Sequence, residues 1–580
     1  MNETIFGTLS TTKRKIKYIR QQTAGVRHLN RLTPQAPTAS DAPIITVTTA
    51  VPQHITHVEC LLLEPATAVL PLQRVAIEWD ILNWTYRATW QAALPAQPDG
   101  TLVRYQIRAM PASGGAPILA DSGMTFSYVV GAWPTPPWAR EAIVYQIFPD
   151  RFAPGSGRAW NAITHLSDIY GGTLRGIIEK LDYIADMGFN CLWLNPFFPD
   201  KTHHGYHATD HFSVNPRLGT LADMQELVRE AHARGIRLLL DFVGNHVGSG
   251  HAHFQDALAR RDSPYHDWFL WEEWPERYVA YFHVPDLPEL NTQNTAVRQY
   301  MFDSVRYWLG EIGFDGLRID YTLGPSHDFW TELRQAVQAL KPDAWVFGET
   351  VDTPTVQMLY DGRFHGCLDF LLAQHLRDAF AFNTLDMAAF DAFLHLHEQF
   401  FPANFSRPSF LDNHDMNRFL LIAGNDKRKL KLAALCQFTL AGPPVVYNGT
   451  EVGVHQERFI HDPDSHGMEE CRQPMLWGDE QDADLRQYFH QLAQLRREHP
   501  AVWQGKRQTV YLDAAHGAYA YTVSSDEEII LVAFNLSEQA QTLSIQLTEL
   551  GLTKEVTLAP WSGDWTAVSR PHTLPRIQNL

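Results

Sequence analysis

Arg237–His246 reads RLLLDFVGNH: a strand-type apolar run over Arg237–Leu240, an acid directly after it at Asp241, then Asn245 and His246. The same grammar recurs on both sides. Cys191–Leu194 (CLWL), Gly316–Ile319 (GLRI), Ala344–Gly348 (AWVFG), Ser409–Leu411 (SFL) and Pro444–Tyr447 (PVVY) are short buried-type strands, and Ala142–Phe148 (AIVYQIF) opens the series. Amphipathic stretches such as Leu221–Arg234 and Thr295–Ile312 lie between them. Strands that are apolar on both faces and alternate with helices predict a parallel sheet with crossovers, and a (β/α)8 barrel fits the length. A doubly wound open sheet is the alternative. No GxGxxG follows the first strand, which weighs against a dinucleotide-binding version.

Outside this region the pattern changes. Residues 1–130 contain short alternating segments, Ile44–Thr49, Val75–Trp79 and Thr101–Ala109, broken by PAQPDG and PASGGAP. They predict an N-terminal β-sandwich. Its Trp79, Trp84 and Trp90 suit either a sugar platform or core packing, with core expected for at least two of them. GAWPTPPW sets a linker at 131–140, because three prolines in eight residues interrupt regular structure. The barrel is assigned to 141–478. Tyr519–Val523, Ile529–Asn535 and Thr542–Leu547 then predict a C-terminal antiparallel β-domain over 479–580.

At 580 residues the chain exceeds one hydrophobic core, so several domains are expected. Lys+Arg number 47 against 65 Asp+Glu, a net charge of −18, which excludes a nucleic-acid partner on electrostatic grounds. Cys60, Cys191, Cys367, Cys436 and Cys471 are scattered and lack metal-ligand spacing, so they read as free thiols of a reducing compartment. The first residues carry no apolar leader segment and no run reaches membrane-spanning length, making no membrane association and a cytoplasmic location the expectation.

Functional groups of a (β/α)8 barrel leave the C-terminal ends of its strands. Those positions hold Asp241, Asn245 and His246; Arg318 and Asp320; Glu349; and Asp412, Asn413, His414 and Asp415. A loop after the second strand adds His203, His204, Tyr206, His207 and Asp210. One acid after a strand is usually a helix cap or a solvated loop residue. Several at one rim predict a cleft of carboxylates and imidazoles with one Arg, and glycosidic cleavage needs that set. An ionised carboxylate attacks C1, a protonated one releases the leaving oxygen, and negative charge stabilises the oxocarbenium-like transition state. Arg318 lies two residues before Asp320, on the same side of a strand, where it can hold that acid ionised.

DFVGNH (241–246), GFDGLRID (313–320), FGET (347–350) and FLDNHD (410–415) together resemble the four consensus regions of the α-amylase family of glycoside hydrolases, family 13. YQIFPDRF, HGYHATDHFSVNPRLGT, PDLPELNT, AGPPVVYNGTE and CRQPMLW add matches, so the resemblance covers roughly 145–477. The N-terminal β-domain and YQIFPDRF place it nearest the cyclomaltodextrinase, neopullulanase and maltogenic amylase branch. The resemblance implies Asp320 as nucleophile, Glu349 as general acid/base and Asp415 as the third carboxylate. It implies Tyr206, His246, Arg318 and His414 as substrate-binding residues, and Asp241 and Asn245 as structural residues near the site. A substrate-covering loop is expected near 243–292. The implied activity is hydrolysis of α-1,4-glucosidic bonds in maltooligosaccharides, cyclodextrins or starch, with no cofactor required. Trapping of the same intermediate by a sugar would instead give a 4-α-glucanotransferase or an isomerase, and a non-catalytic α-glucan-binding protein is the third reading. Leu323 and Gly324 stand where relatives carry Lys-His or Asn-Glu, and Glu349 is followed by Thr-Val-Asp, so acceptor-side contacts must differ. Calcium near Asn245 and homodimerisation through the N-terminal domain stay open.

Overall fold

The computed structural model describes residue 5 and residues 11–568. Eight parallel strands form its centre: Val144–Ile147, Cys191–Leu194, Arg237–Phe242, Gly316–Ile319, Trp345–Gly348, Gly366–Cys367, Ser409–Phe410 and Pro444–Tyr447. Each pairs in parallel with its sequence neighbour, and the eighth returns to the first. The ring closes between the sixth and seventh strands. There Gly366 bridges Ser406, and the Cys367 and Asp369 amides donate to Ser406 and Pro408 carbonyls at 3.1 and 2.9 Å. The expected (β/α)8 barrel is therefore the fold, and the open-sheet alternative falls.

The two-residue sixth strand escaped the sequence reading because it is too short to carry a period. The helix over 295–312 is regular only across Thr295–Arg306, then widens into a π-helical turn, Tyr307–Ile312, that Gly313 ends at φ 101°.

Strand parity positions the site. Cys191, Trp193, Leu239, Trp345, Phe347, Phe410 and Val445 fill the barrel interior, while Leu192, Leu194, Leu238, Leu240, Leu317, Ile319 and Val346 join the layer under the helices. Two residues on, the inward rows continue into Asp241, Asp320 and Glu349 at the strands' C-terminal ends. Register aligns them, since Asp241 is opposite Arg318 and Ile319 is opposite Gly348. Gly316 is obligatory here, because a Cβ would lie 2.0 Å from the Trp345 carbonyl oxygen of the next strand.

A helix, Thr12–Thr23, precedes antiparallel strands that enclose a separate core including Ile45, Val58, Cys60, Trp90, Val103, Tyr105 and Ile107. The long strand Ala68–Asp80 pairs through 68–72 with one sheet and through 73–80 with the other, joining the two layers of the sandwich. Only Trp90 of the three tryptophans is buried. Trp79 and Trp84 are 50% and 74% exposed, contrary to the expectation of core packing for at least two. They sit on a hairpin whose outer face has no covering layer, a fact that alternation along a strand does not encode.

The 131–140 segment is fixed rather than loose. Arg334 donates to the carbonyls of Val129 and Gly131, and the Trp138 indole donates to the Asp343 carbonyl. After the barrel, helix Ala483–Glu498 packs on helix Lys427–Thr439, with Phe489 and Leu492 in the barrel's own core. The last antiparallel strands begin at Lys506, after this helix. Among the described residues, no helix is long and apolar enough to cross a membrane.

Candidate active site

Arg318 organises the mouth of the barrel. Its side chain is fully buried, and Nη1 donates to Asp241 Oδ1 at 2.6 Å and Asp320 Oδ1 at 2.9 Å, while Nη2 lies 2.8 Å from Glu349 Oε1. The guanidinium also stacks near the Trp193 ring, 4.9 Å from its centroid. One cation thus serves three carboxylates supplied by three consecutive strands. Asp241 is tied further by the Trp193 indole and the Tyr206 hydroxyl, each at 2.9 Å. Glu349 also accepts from the Tyr321 amide at 3.2 Å.

Asp415 approaches from the seventh strand's loop. Arg472 donates to its Oδ1 at 2.9 Å, and His414 Nε2 lies 3.2 Å from Oδ2. The Gln146 amide donates to His414 Nδ1 at 2.8 Å, leaving the proton on Nε2, which faces the Tyr206 hydroxyl at 2.7 Å. Tyr206 can then accept from His414 and donate to Asp241. Burial holds the His414 imidazole neutral, with its pKa lowered to about 3.

The electrostatics separate the acids. Burial raises the Asp320 carboxyl well above its ordinary value; Arg318 opposes this, and repulsion from Glu349 and Asp241 adds to it. Burial likewise raises Glu349 against the pull of Arg318, with Asp415 adding repulsion. Burial also pushes Asp415 upward, but His414, Arg472 and Arg318 outweigh it and hold the carboxyl below its usual range. Asp320 and Glu349 therefore titrate as a pair, beside an Asp415 that stays ionised.

Of the residues singled out in the sequence, Asp320, Glu349, Asp415, Arg318, Tyr206, His414 and Asp241 meet in this one network. His246 and Asn245 sit one layer away. His246 Nε2 donates to the Tyr206 carbonyl at 3.2 Å, and its ring stacks on Tyr281 with centroids 4.7 Å apart. Asn245 is buried against Gly324, where a Cβ would lie 1.9 Å from its Oδ1. Its amide faces His246, and among the described residues no three His, Cys, Asp or Glu side chains form a metal site.

Three neighbours escaped the sequence reading. Tyr281, from the 243–292 loop, is half-buried; burial raises its phenol, and Asp320, Glu349 and Asp415 add to the shift, so it lies within electrostatic range of the acids. No sequence signal marked it beyond an aromatic run in a loop expected to cover substrate. Tyr321 follows Asp320 with φ 37°, a strained backbone for a bulky residue, and packs its ring 4.7 Å from Tyr281 and 5.7 Å from the exposed Phe282. Arg472 lies inside CRQPMLW, where its partner could not be read.

Residues 146–498 match the family described as "Alpha amylase, catalytic domain". The chain is 36% identical over 414 residues to Alpha-amylase 2 of Dictyoglomus thermophilum, covering 71% of this chain and 72% of that protein. It is 34% identical over 437 residues to Neopullulanase 2 of Thermoactinomyces vulgaris, covering 72% and 73%. Among solved structures, a cyclomaltodextrinase superimposes with a TM-score of 0.70 at 26% identity, over 92% of this chain and 98% of that one.

Proposed function

The chain belongs to the α-amylase family and is a glycosidase, and on that premise we propose that it hydrolyses α-1,4-glucosidic bonds with retention of configuration. The supporting observation is Arg318 held between Asp320 and Glu349, at 2.9 and 2.8 Å. A shared guanidinium favours the short separation, about 5–5.5 Å, of a double displacement over the wider gap that an inverting water needs.

Asp320 carboxylate attacks C1, the C1–O bond breaks, and the Glu349 proton passes to the leaving oxygen. Water then gives a proton to Glu349 and attacks C1, releasing Asp320. Asp415 and His414 hold the hydroxyls of the reacting sugar, with Tyr206 beneath it. His246 supports the site through the Tyr206 carbonyl. A 2-deoxy-2-fluoro maltosyl fluoride tests this: mass spectrometry should find one glycosyl adduct, on Asp320. An adduct on another residue, or a first product of inverted anomeric configuration, would refute the assignment.

A second reading, 4-α-glucanotransfer through the same intermediate, is favoured by the aromatic wall beside the acid. Tyr281, Phe282, Tyr321 and the half-exposed Leu323 give a sugar acceptor more surface than they give water. The substrate class in either case is α-glucan: maltooligosaccharides, cyclodextrins or starch. We also propose homodimerisation through the N-terminal hairpin, whose exposed Ile77, Trp79, Trp84 and Tyr86 form one apolar face; the solution mass decides it. Five free, buried thiols fit a reducing, cytoplasmic setting.

A further inference from the structure

The barrel has a second concave feature, on the face away from the acids. A cleft of about 800 Å³ opens where the chain enters the strands, bounded by Arg140 before the first strand, Arg407 before the seventh and Gly442 before the eighth. Its far wall is Trp503 and Lys506, at the start of the terminal antiparallel strands. That volume is in the range of small-molecule sites, and junctions between domains are where such sites occur.

Its charge is opposite to that of the molecule. The chain carries −18 overall, yet four of the lining residues are cations and Glu398 is the only lining carboxylate. Glu398 is already committed to Arg507, at 2.9 Å, together with Asp391 at 2.7 Å. Among the described residues the one carboxylate in reach of Arg407 is Asp369, at 4.0 Å, which His397 holds at 2.8 Å, and Arg407 Nη1 also donates to the His397 carbonyl at 3.5 Å. Among the described residues Arg140 and Lys506 have no carboxylate partner, although both are exposed at the cleft. Bringing uncompensated cations to one concave place is unfavourable by mutual repulsion, and an anion would relieve it.

The remaining lining is suited to a sugar. Trp503 presents a half-buried ring, and on the barrel side of the cleft the Ser406 hydroxyl is buried without a hydrogen-bond partner among the described residues. We propose that this cleft binds a phosphorylated sugar, the cations taking the phosphate and Trp503 the C–H face of the ring. Arg407 and Arg140 supply planar donor forks for phosphate oxygens, and Lys506 supplies a point charge.

Calorimetry on the full-length protein tests it, with glucose 1-phosphate, inorganic phosphate and maltose as separate titrants. Glucose 1-phosphate should bind more tightly than inorganic phosphate and raise the melting temperature through linkage. Arg140→Ala combined with Lys506→Ala should weaken it by about tenfold or more, the effect of losing charge-assisted hydrogen bonds. Both side chains are exposed, so the fold should survive, and kcat/KM on maltotriose should be unchanged. Three results would each overturn the proposal: no saturable heat at millimolar glucose 1-phosphate, binding that survives the double substitution, or equal affinity for inorganic phosphate.

Discussion

Replacing Arg472 by Gln isolates the electrostatic support of one acid without touching the other two. Arg472 is buried; its Nη2 donates to Asp415 at 2.9 Å, its Nη1 to Glu469 at 2.9 Å and its Nε to the His414 carbonyl at 2.8 Å. A hydrogen bond to a charged group contributes about 1.5–3 kcal/mol. The Asp415 side chain is 34% exposed, so solvent screening favours the lower end. A loss of about 1.5 kcal/mol is roughly tenfold in kcat/KM at neutral pH. Burial opposes ionisation of Asp415, and with one of its three cationic or imidazole partners removed its carboxyl must rise. That rise should be read on the carboxyl itself, as a titration of carbon-13-labelled Asp415 displaced to higher pH in the variant. The stability sign agrees: a carboxyl depressed in the fold stabilises above its unfolded pKa, and that contribution disappears as pH falls through the folded value. The melting-temperature gap between variant and parent should be widest at neutral pH and narrow in acid. An Asp415 titration that stays in place, with unchanged kcat/KM, would refute the reasoning.

Tyr281→Ala removes the ring stacked on His246 and packed against Tyr321 beside the acids, and an aromatic contact worth about 0.5–1.5 kcal/mol predicts a several-fold loss in kcat/KM on maltotriose. The same variant should yield fewer transfer products by chromatography, and an unchanged product ratio would count against an acceptor role for the wall. Gly324→Ala forces a Cβ to within 1.9 Å of Asn245 Oδ1, so urea unfolding should show about 1–3 kcal/mol of lost stability. A chelator should leave the melting temperature unchanged, and a clear drop would show a bound metal.

How far the sequence reached depended on whether a feature repeats. Four-residue strands such as Cys191–Leu194 and Gly316–Ile319 were legible to the residue, because burial on both faces demands continuous apolar runs. The Gly366–Cys367 strand was not, because two residues carry no pattern. Site residues at strand ends were legible because parity and topology place them, whereas Tyr281 reaches the pocket from a loop that no periodicity describes. Trp79 and Trp84 mark a different limit: alternation sorts residues onto two faces and cannot say which face has a partner.

Residue identities also left open the state of the acids, which geometry bears on directly. Asp241, Asp320 and Glu349 all contact the single guanidinium of Arg318, and all three side chains are largely withdrawn from water, with exposures of 0%, 9% and 13%. One positive charge cannot compensate three buried negative ones, so retaining a proton within the cluster is cheaper than ionising all of it. Asp241 is the least suited to hold that proton, since it accepts from Arg318, Trp193 and Tyr206 together. Asp320 and Glu349 share what remains of Arg318, at 2.9 and 2.8 Å, and Glu349 also accepts from the Tyr321 amide at 3.2 Å. The retained proton therefore resides in the Asp320–Glu349 pair, the two carboxyls that burial raises, beside an ionised Asp415.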